Sequence, residues 1–334
     1  VREIARQAGV AASTVSLVLN NKPGVRRETR EKIAEMLLQN GYSIRESTAK
    51  PVMQGEIKFI RYLSITHSRE RNEDFFVGLL NGAEQRAHKL SCKFSLNSAT
   101  PDQLPGLLHM LAEQSDLMGI IFLASELSDE QIPHLLQFSK PLVMMDMPLQ
   151  LEHYPFNGIN TDNSGGIFSA MQHLYDMGHR KFGFLRGETE IGGLYSRYIA
   201  YLRAMESLNL PVDEQQILRI DPQYEVAIRQ MQQHLKGHPT LPTVFMAAND
   251  IIAAGCVRAL QQCGYQVPQD VSVVGFDDGA MSTFISPPLT TMRINRTRFG
   301  QLAVDRLIAL HQNPDDVIVK STISVSFIER ESTR

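Results

Sequence analysis

Cysteine is scarce in this chain, and long apolar runs are absent from it. The 334 residues include only Cys92, Cys256 and Cys263, an odd number without Cys-x-x-Cys spacing. A disulfide framework is therefore not expected, and buried thiols in a reducing compartment are. No uncharged apolar stretch approaches the roughly 18 residues that a transmembrane helix needs. No secretory signal opens the chain, so a cytoplasmic protein without a membrane partner is predicted.

The motifs of several enzyme classes are also missing. Gly-x-Gly-x-x-Gly, Walker A and Gly-x-Ser-x-Gly do not occur. His173 and His179 lie six residues apart without an acidic partner placed for a zinc site. The prediction is a protein that is not an enzyme and that uses no cofactor or metal, with a doubly wound enzyme as the alternative of a different class.

Charge is distributed unevenly along the chain. The first 50 residues contain nine Lys or Arg and five Asp or Glu, whereas the remaining residues contain 24 and 31. A basic N-terminal segment on an acidic body indicates a polyanionic partner such as DNA. A chance imbalance on a short solvated segment is the alternative explanation.

The first forty-odd residues have the pattern of three short helices. Ile4, Ala5 and Ala8 share one face of the first helix, and Gly9 ends it, because a left-handed helix end favours glycine. A second helix runs to Leu19 and a third over about 26–39. A small residue at the crossing point and a glycine in the turn favour a helix-turn-helix over a generic helical hairpin.

In a helix-turn-helix the second helix offers its first residues to the major groove. Ser and Thr hydroxyls can hydrogen-bond bases or phosphates, and an Ala methyl can contact a thymine methyl. The residues predicted to face DNA at this helix are Ala11, Ala12, Ser13, Thr14 and Ser16.

Residues 57–330 alternate apolar runs with amphipathic helical segments. The runs include "IKFIRYLSI", "MGIIFLA", "PTVFMAAND" and a last strand "TISVSFIE". This alternation predicts a parallel, doubly wound sheet, and two blocks of similar rhythm predict two similar lobes. Small ligands bind outside the carboxyl ends of such strands, so two facing lobes would close on a ligand.

Polar residues follow several of these predicted strands, and Arg197 lies near the start of a helix. Converging carboxylates, an amide and a guanidinium suit the recognition of a polyhydroxylated ligand. An Asp after a strand can instead be a helix N-cap. The residues in question are Asp146, Asp162, Arg197, Asn249, Asp277 and Asp278.

The segments "GVAASTVSLVLNN" and "VRRETREKI" resemble the DNA-binding domain of the LacI/GalR family of bacterial transcription regulators. The resemblance implies that Ala11, Ala12 and Ser13 are major-groove readers. Two departures stand out: Leu17 replaces a commonly basic residue, and Ala11 replaces the usual Ser N-cap, which is worth about 1 kcal/mol. The resemblance further implies phosphate or base contacts by Thr14, Ser16, Asn20, Thr29 and Tyr42.

The segment 43–56, "SIRESTAKPVMQGE", has the composition of a linker but departs from the family pattern. The family carries a short hinge helix here, with a Leu wedged into the minor groove. Ile44 stands at the family's Pro position and Pro51 at the Leu position. An ordinary hinge helix is therefore not expected, unless it is shortened or Val52 or Met53 serves as the wedge.

The body resembles the same family. "INTDNSGGIFSAMQHLYDMGHRKFGFLRG", "FMAANDIIAAGCVRALQQCGYQVPQDVSVVGFDD" and "SPPLTTMR" are similar to its distinctive blocks. Phe75 stands in "EDFF", where an aromatic ring could stack on a sugar. The resemblance implies an effector cleft lined by Phe75, Asp146, Asp162, Arg197, Asn249 and Asp277.

The resemblance implies a bacterial transcriptional regulator, a repressor by default, that acts as a homodimer. Operator DNA would be bound with an affinity controlled by a small metabolite, a sugar or sugar derivative, held between the lobes. A sensor without DNA binding and a secreted sugar-binding protein are further alternatives. The predicted fold is α/β, a three-helix head plus a two-lobed body like that of periplasmic binding proteins. The predicted divisions are a head over 1–42, a linker over 43–56, a first lobe over 57–157 and 290–315, and a second lobe over 158–289 and 316–330.

Overall fold

A computed structural model describes residues 1–20, 24–40, 42, 55–64, 72–188, 192–237 and 240–334. The chain divides into two compact units, Val1–Met53 and Gln54–Arg334. Each unit has its own elements, and the two are described in turn.

The N-terminal unit contains the three predicted helices. They are α1 (Arg2–Ala8), α2 (Ala12–Leu19) and α3 (Arg27–Gln39). Gly9 has φ of 68° after α1, a backbone conformation that suits glycine, and the Val10 amide donates to the Ala5 carbonyl at 3.0 Å. The helices close on a small apolar core of Ile4, Ala5, Val15, Val18, Ile33 and Leu37. The predicted helix-turn-helix is thereby confirmed.

The first lobe of the larger unit is built on a parallel sheet with strand order β11-β5-β4-β3-β1-β2. Fully buried rings such as Phe59 and Phe122 fill its core. The strands are β1 (Glu56–Tyr62), β2 (Lys93–Ala99), β3 (Leu117–Leu123), β4 (Leu142–Met145), β5 (Asn157–Thr161) and β11 (Lys320–Ile323). The helices are α4 (Glu73–Lys89), α5 (Leu104–Ala112), α6 (Ile132–Leu136) and α12 (Arg296–Gln312).

Helices α4 and α12 cross at very short range. A Cβ at Gly82 would lie 2.1 Å from the Thr297 carbonyl oxygen, so only glycine allows this approach. The two helices therefore form one rigid layer on the first sheet.

The second lobe has a parallel sheet with strand order β7-β6-β8-β9. Its strands are β6 (Phe182–Arg186), β7 (Ile217–Arg219), β8 (Val244–Ala247) and β9 (Ser272–Val274). Its helices are α7 (Asn163–Asp176), α8 (Gly192–Ser207), α9 (Tyr224–Leu235), α10 (Asp250–Gln262) and α11 (Met281–Phe284). The predicted architecture of two doubly wound lobes is confirmed.

The chain crosses between the lobes at places that differ from the expected ones. Strand β5 begins at the expected start of the second lobe, yet it pairs with β4 in the first sheet. The single last strand expected at "TISVSFIE" is two strands: β11 pairs with β5, and β12 (Ser326–Ile328) pairs antiparallel with β10 (Thr291–Arg293). Apolar periodicity marks where a strand lies, but it does not determine which sheet the strand joins.

Candidate functional site

The exposed surface of α2 carries no charged side chain. Ala11, Ala12, Ser13 and Ser16 are exposed, whereas Val15 and Val18 are buried in the head core. Ala11 stands at the N-cap and makes no side-chain capping bond, as its replacement of Ser predicted. The first turn of α2 thus presents methyl groups, hydroxyl groups and uncapped amides, and the helix N-terminus adds a partial positive charge.

The remaining predicted DNA contacts lie elsewhere on the head. The Asn20 amide donates to the Ser16 carbonyl oxygen at 2.9 Å, which folds its side chain back on α2. Thr14 and Thr29 are half-buried in α2 and α3, and Tyr42 is exposed. The linker prediction, with Ile44, Pro51, Val52 and Met53, falls outside the described residues.

A cavity of about 120 Å³ lies in the larger unit, at the carboxyl ends of strands from both sheets. The last residues of β1 and residues that follow β3, β4, β8 and β9 line it, together with the first turns of α4 and α8. Among the residues predicted for the cleft, those that line the cavity are Phe75, Asp146, Arg197, Asn249 and Asp277. This is the position that the strand-end rule predicts for a ligand.

Asp162 does not line this cavity. It precedes α7, and its carboxylate accepts a hydrogen bond from the Gly165 amide at 2.8 Å. The residue is therefore a helix N-cap, the other role that its place after a strand allowed.

Arg197 is the most constrained side chain of the cavity. Its guanidinium forms a buried ion pair with Asp277 at 3.0 Å and donates to the Asn163 side chain at 2.9 Å and the Ala248 carbonyl at 2.7 Å. It also lies 3.8 Å from the centre of the Phe276 ring. Arg197 is thereby held in one orientation without a ligand.

Two acids in the cavity have a raised pKa. Burial raises the pKa of Asp146 above its ordinary value, although Ser125, which donates to it at 2.7 Å, and Arg197 oppose this. Burial also raises the pKa of Asp277, against the charges of Arg197 and Arg296. Such carboxyl groups can exchange hydrogen bonds with the hydroxyl groups of a ligand.

The sequence reasoning missed several residues of the cavity. Asn72 uses its side-chain oxygen to cap α4 and its amide to donate to Asp277 at 2.7 Å. An Asn one residue before the predicted helix is an N-cap signal, but nothing in the pattern indicated its second partner. The others missed are Arg61, Tyr62, Phe76, Leu123, Ser125, Glu126, Gly192, Gly193 and Leu194.

Apolar side chains form one wall of the cavity. Phe75 is half-buried and packs edge-on against Phe299, with ring centres 6.3 Å apart. Arg61, also in the lining, pairs with Glu73 at 2.7 Å and stacks 4.0 Å from the centre of the Phe76 ring. Within the described ranges, no group of three or more His, Cys, Asp or Glu is placed to hold a metal ion.

Asp250 lies directly behind the cavity, next to Asn249. Burial, with the nearby Asp277 carboxylate, raises the pKa of Asp250 to about 8. It accepts hydrogen bonds from the Thr291 hydroxyl at 2.5 Å and the Gly279 amide at 2.7 Å. Asn249 itself caps α10 by accepting from the Ile252 amide at 2.9 Å.

Each of the two units contains a segment that matches a known protein family. Residues 1–53 match the profile "Bacterial regulatory proteins, lacI family", and residues 171–333 match "Periplasmic binding protein-like domain". The HTH-type transcriptional repressor PurR of Haemophilus influenzae (strain PittEE) is 28% identical over 323 residues, which cover 95% of this chain and 92% of that protein. The ribose operon repressor of Haemophilus influenzae (strain ATCC 51907 / DSM 11121 / KW20 / Rd) is 29% identical over 343 residues, covering 99% and 98%.

Solved structures of the same fold extend over the whole chain. A transcriptional regulator CelR–cellobiose complex has a TM-score of 0.72 at 24% identity and covers 98% of both chains. The lac repressor dimer bound to operator and the anti-inducer ONPF has a TM-score of 0.73 at 24% identity, covering 99% and 97%. The relatives are named as repressors and not as enzymes, in agreement with the non-enzymatic prediction. Together these matches show a lacI-family helix-turn-helix domain joined to a periplasmic-binding-protein-like domain, in a chain that is similar over its whole length to LacI-type regulators.

Proposed function

We propose that this protein is a transcriptional repressor whose affinity for operator DNA is controlled by a small metabolite bound between its lobes. The observation that carries the proposal is the cavity. Five residues chosen from the sequence for ligand binding converge there, in a chain whose other unit is a helix-turn-helix. The relatives named as PurR and the ribose operon repressor support this function.

The chemistry of the cavity supports a neutral, polyhydroxylated ligand such as a sugar or sugar derivative. Of the described lining residues, Glu126, Asp146 and Asp277 are acidic. The two lining arginines are already paired with acids, Arg61 with Glu73 and Arg197 with Asp277. Carboxylates accept hydrogen bonds from hydroxyls, and Phe75 offers a ring to a sugar face. Along the part of the cavity wall that the structure describes, a phosphorylated ligand would meet three acidic side chains and no arginine that is still unpaired with an acid. Burial of its negative charge there would be unfavourable.

The head supports operator binding. Basic side chains outside α2, such as Arg6, Arg26 and Lys32, would neutralise phosphates, while the first residues of α2 read base edges. The residues proposed for contact with DNA are Ala11, Ala12, Ser13, Thr14, Ser16, Asn20, Thr29 and Tyr42.

We further propose a homodimer that works in the bacterial cytoplasm, at the nucleoid when bound to DNA. The lac repressor structure is described as a dimer on operator, which supports this assembly. A groove among α9, α10 and α11 ends at Phe284, whose exposed fraction is 82%. A second copy of this chain is the occupant that we propose for this surface. In the part of the chain that the structure describes, no helix has the length and apolar character needed to span a bilayer.

The proposal can be tested by selecting binding sites from random DNA with the full chain. We expect a pseudo-palindromic sequence whose half-sites lie about one helical turn apart, bound with an affinity that falls steeply with salt. A chain that enriches no sequence, yet binds sugars in a thermal-shift screen, would be a ligand sensor without DNA binding.

The ligand site can be tested separately with neutral sugars and sugar phosphates in the same screen. Arg197→Ala should abolish the stabilisation by a ligand while operator binding remains. Because Ala leaves Asp277 buried and unpaired, Arg197→Lys is a milder second variant. The exposed Arg298→Ala is the matched control. A ligand titration unchanged in both Arg197 variants would contradict the assignment.

A further inference from the structure

The loop of residues 277–280, which follows β9, makes polar contacts with elements of both lobes. We call it the interlobe loop. Each of its residues has a polar partner outside the loop, and the partners come from both lobes. The loop belongs to the second lobe, and its first residue, Asp277, also lines the cavity.

Three polar contacts join the interlobe loop to the first lobe. Asn72, at the start of α4, donates to Asp277 Oδ2 at 2.7 Å. Asp74, in the first turn of α4, accepts from the Ala280 amide at 3.0 Å. Arg296, at the start of α12, donates to the Asp278 carbonyl at 2.8 Å. Because α4 and α12 form one layer, these contacts fasten the loop to a rigid part of the first lobe.

The second lobe and the crossing segments hold the same loop from the other side. Arg197 pairs with Asp277 Oδ1, and Asp250 accepts from the Gly279 amide. The Asp278 carboxylate accepts from Arg293 at 2.5 Å and from Arg330 at 2.6 Å. Any relative movement of the lobes must therefore break contacts on one side of the loop.

The backbone of the loop is strained. Asp277 has φ of 110° and Asp278 has φ of 53°, in the region that L-residues other than glycine rarely adopt. Strain of this kind persists only where the surroundings impose it. Release of the first-lobe contacts would thus favour a different loop conformation.

We propose that Asn72 and Asp74 form a latch between the two lobes, and that Asn72 is a positioning residue for the ligand. Asp277 Oδ2 accepts a hydrogen bond from Asn72, whereas Oδ1 lies 3.0 Å from the Arg197 guanidinium in an ion pair and has no hydrogen-bond partner among the described residues. A ligand hydroxyl that donates to Asp277 Oδ2 must share or replace the Asn72 bond, and cavity occupancy is thereby converted into a change of lobe closure. Only this last step rests on the proposed function, since the latch itself needs no ligand.

Asn72 offers a substitution that separates its two roles. Asn72→Asp keeps an oxygen that caps α4, but it loses the amide donor and places a second carboxylate against Asp277. Asn295→Asp is the matched control, because Asn295 caps α12 in the same way, accepting from the Arg298 amide at 3.0 Å, and is exposed. The double variant Asn72→Asp with Asp277→Asn exchanges donor and acceptor and should restore the bond.

Hydrogen exchange of the full-length protein without ligand, followed by mass spectrometry over residues 275–282, tests the latch. In Asn72→Asp we expect the amides of Gly279 and Ala280 to exchange at least about tenfold faster, as for loss of a charged hydrogen bond. Asn295→Asp should leave their rates unchanged, and the exchanged pair should return them towards the original values.

Asp74→Ala is a second variant at an exposed position, which keeps the test open if Asn72→Asp does not fold. It should accelerate exchange at Gly279, whose amide donates to Asp250 and not to Asp74, as well as at Ala280. Acceleration at Ala280 alone would contradict a loop that moves as a unit. Unchanged rates in Asn72→Asp, or an equal effect of Asn295→Asp, would overturn the latch.

Discussion

At the scale of single residues, the unusual feature is a buried carboxyl group with a raised pKa that lies among other acids. Asp250 lies beside Asp277 and Asp278, with its pKa raised to about 8. Its ordinary value near 3.9 applies to the unfolded chain. Between about pH 4 and 8 the folded protein therefore retains a proton that the unfolded chain loses. The contribution of this group to the free energy of unfolding consequently falls as pH rises.

Asp250→Asn replaces the carboxyl group by an amide of the same shape that does not titrate. We expect the variant to gain stability relative to the original protein as pH rises from 5 to 8, because only the original must keep a proton. Urea unfolding at several pH values measures this difference. A difference in unfolding free energy that stays constant from pH 5 to 8 would show that Asp250 is ionised in the folded protein.

Residue-scale reasoning from the sequence identified five of the fifteen described residues that line the cavity. Asp146, Asn249 and Asp277 follow strands that end at the same edge, and this rule needs no structure. Asp162 satisfied the same rule, but its carboxylate caps α7 by accepting a hydrogen bond from the Gly165 amide, and it does not line the cavity. Asn72 could not be found in this way, since its partner Asp277 lies 205 positions away along the chain.

At the scale of elements, α7 depends on Asp162 for its N-terminal cap. Asp162→Ala should lower the free energy of unfolding by about 1 kcal/mol, a typical value for a lost cap. Ligand affinity should stay unchanged, because Asp162 is outside the cavity lining. Urea unfolding and ligand titration of the same variant measure the two effects. If Asp162→Ala lowered ligand affinity and left the free energy of unfolding unchanged, Asp162 would have to be assigned to the binding site.

The exposed side chains of α2 predict which bases this helix contacts in DNA. Its exposed first turn, Ala11, Ala12 and Ser13, presents methyl and hydroxyl groups and has no arginine for a bidentate contact with guanine. We expect selected half-sites to carry thymine opposite this turn. Replacing such a thymine by uracil removes one methyl group and should weaken binding about fourfold, from about 0.8 kcal/mol.

Anisotropy titrations with otherwise identical duplexes measure this effect. Uracil at a thymine in the spacer between half-sites is the control. If the duplex with uracil in its half-sites were bound as tightly as the parent duplex, recognition of thymine through its methyl group would be contradicted.

The helices and most strands could be predicted from periodicity, because each needs only its own residues. The crossings between lobes could not. The run "TISVSFIE" has one continuous β pattern, yet β11 and β12 belong to different sheets. Which partner a strand takes is decided by contacts far apart in the chain, and one sequence does not reveal them.

At the scale of the whole molecule, the proposed assembly places Phe284 in a contact between two copies. Burial of a Phe side chain stabilises by about 1.5–3 kcal/mol, and a two-fold interface would bury it twice. Phe284→Asp should therefore raise the dimer dissociation constant at least about a hundredfold, as sedimentation measures. Phe168→Asp is the matched control, since Phe168 is also exposed but lies on α7. If both variants raised the dimer dissociation constant equally, the surface around Phe284 would not be the dimer interface.

Coupling between the two units is the central claim, and operator affinity with and without ligand tests it most directly. The measurement is a fluorescence anisotropy titration of the full chain on its selected operator, alone and with the ligand found by thermal shift at saturation. A change in operator affinity of about 5–150-fold is predicted, as for allosteric coupling of about 1–3 kcal/mol. A ligand that fills the cavity while operator affinity stays the same would contradict the account.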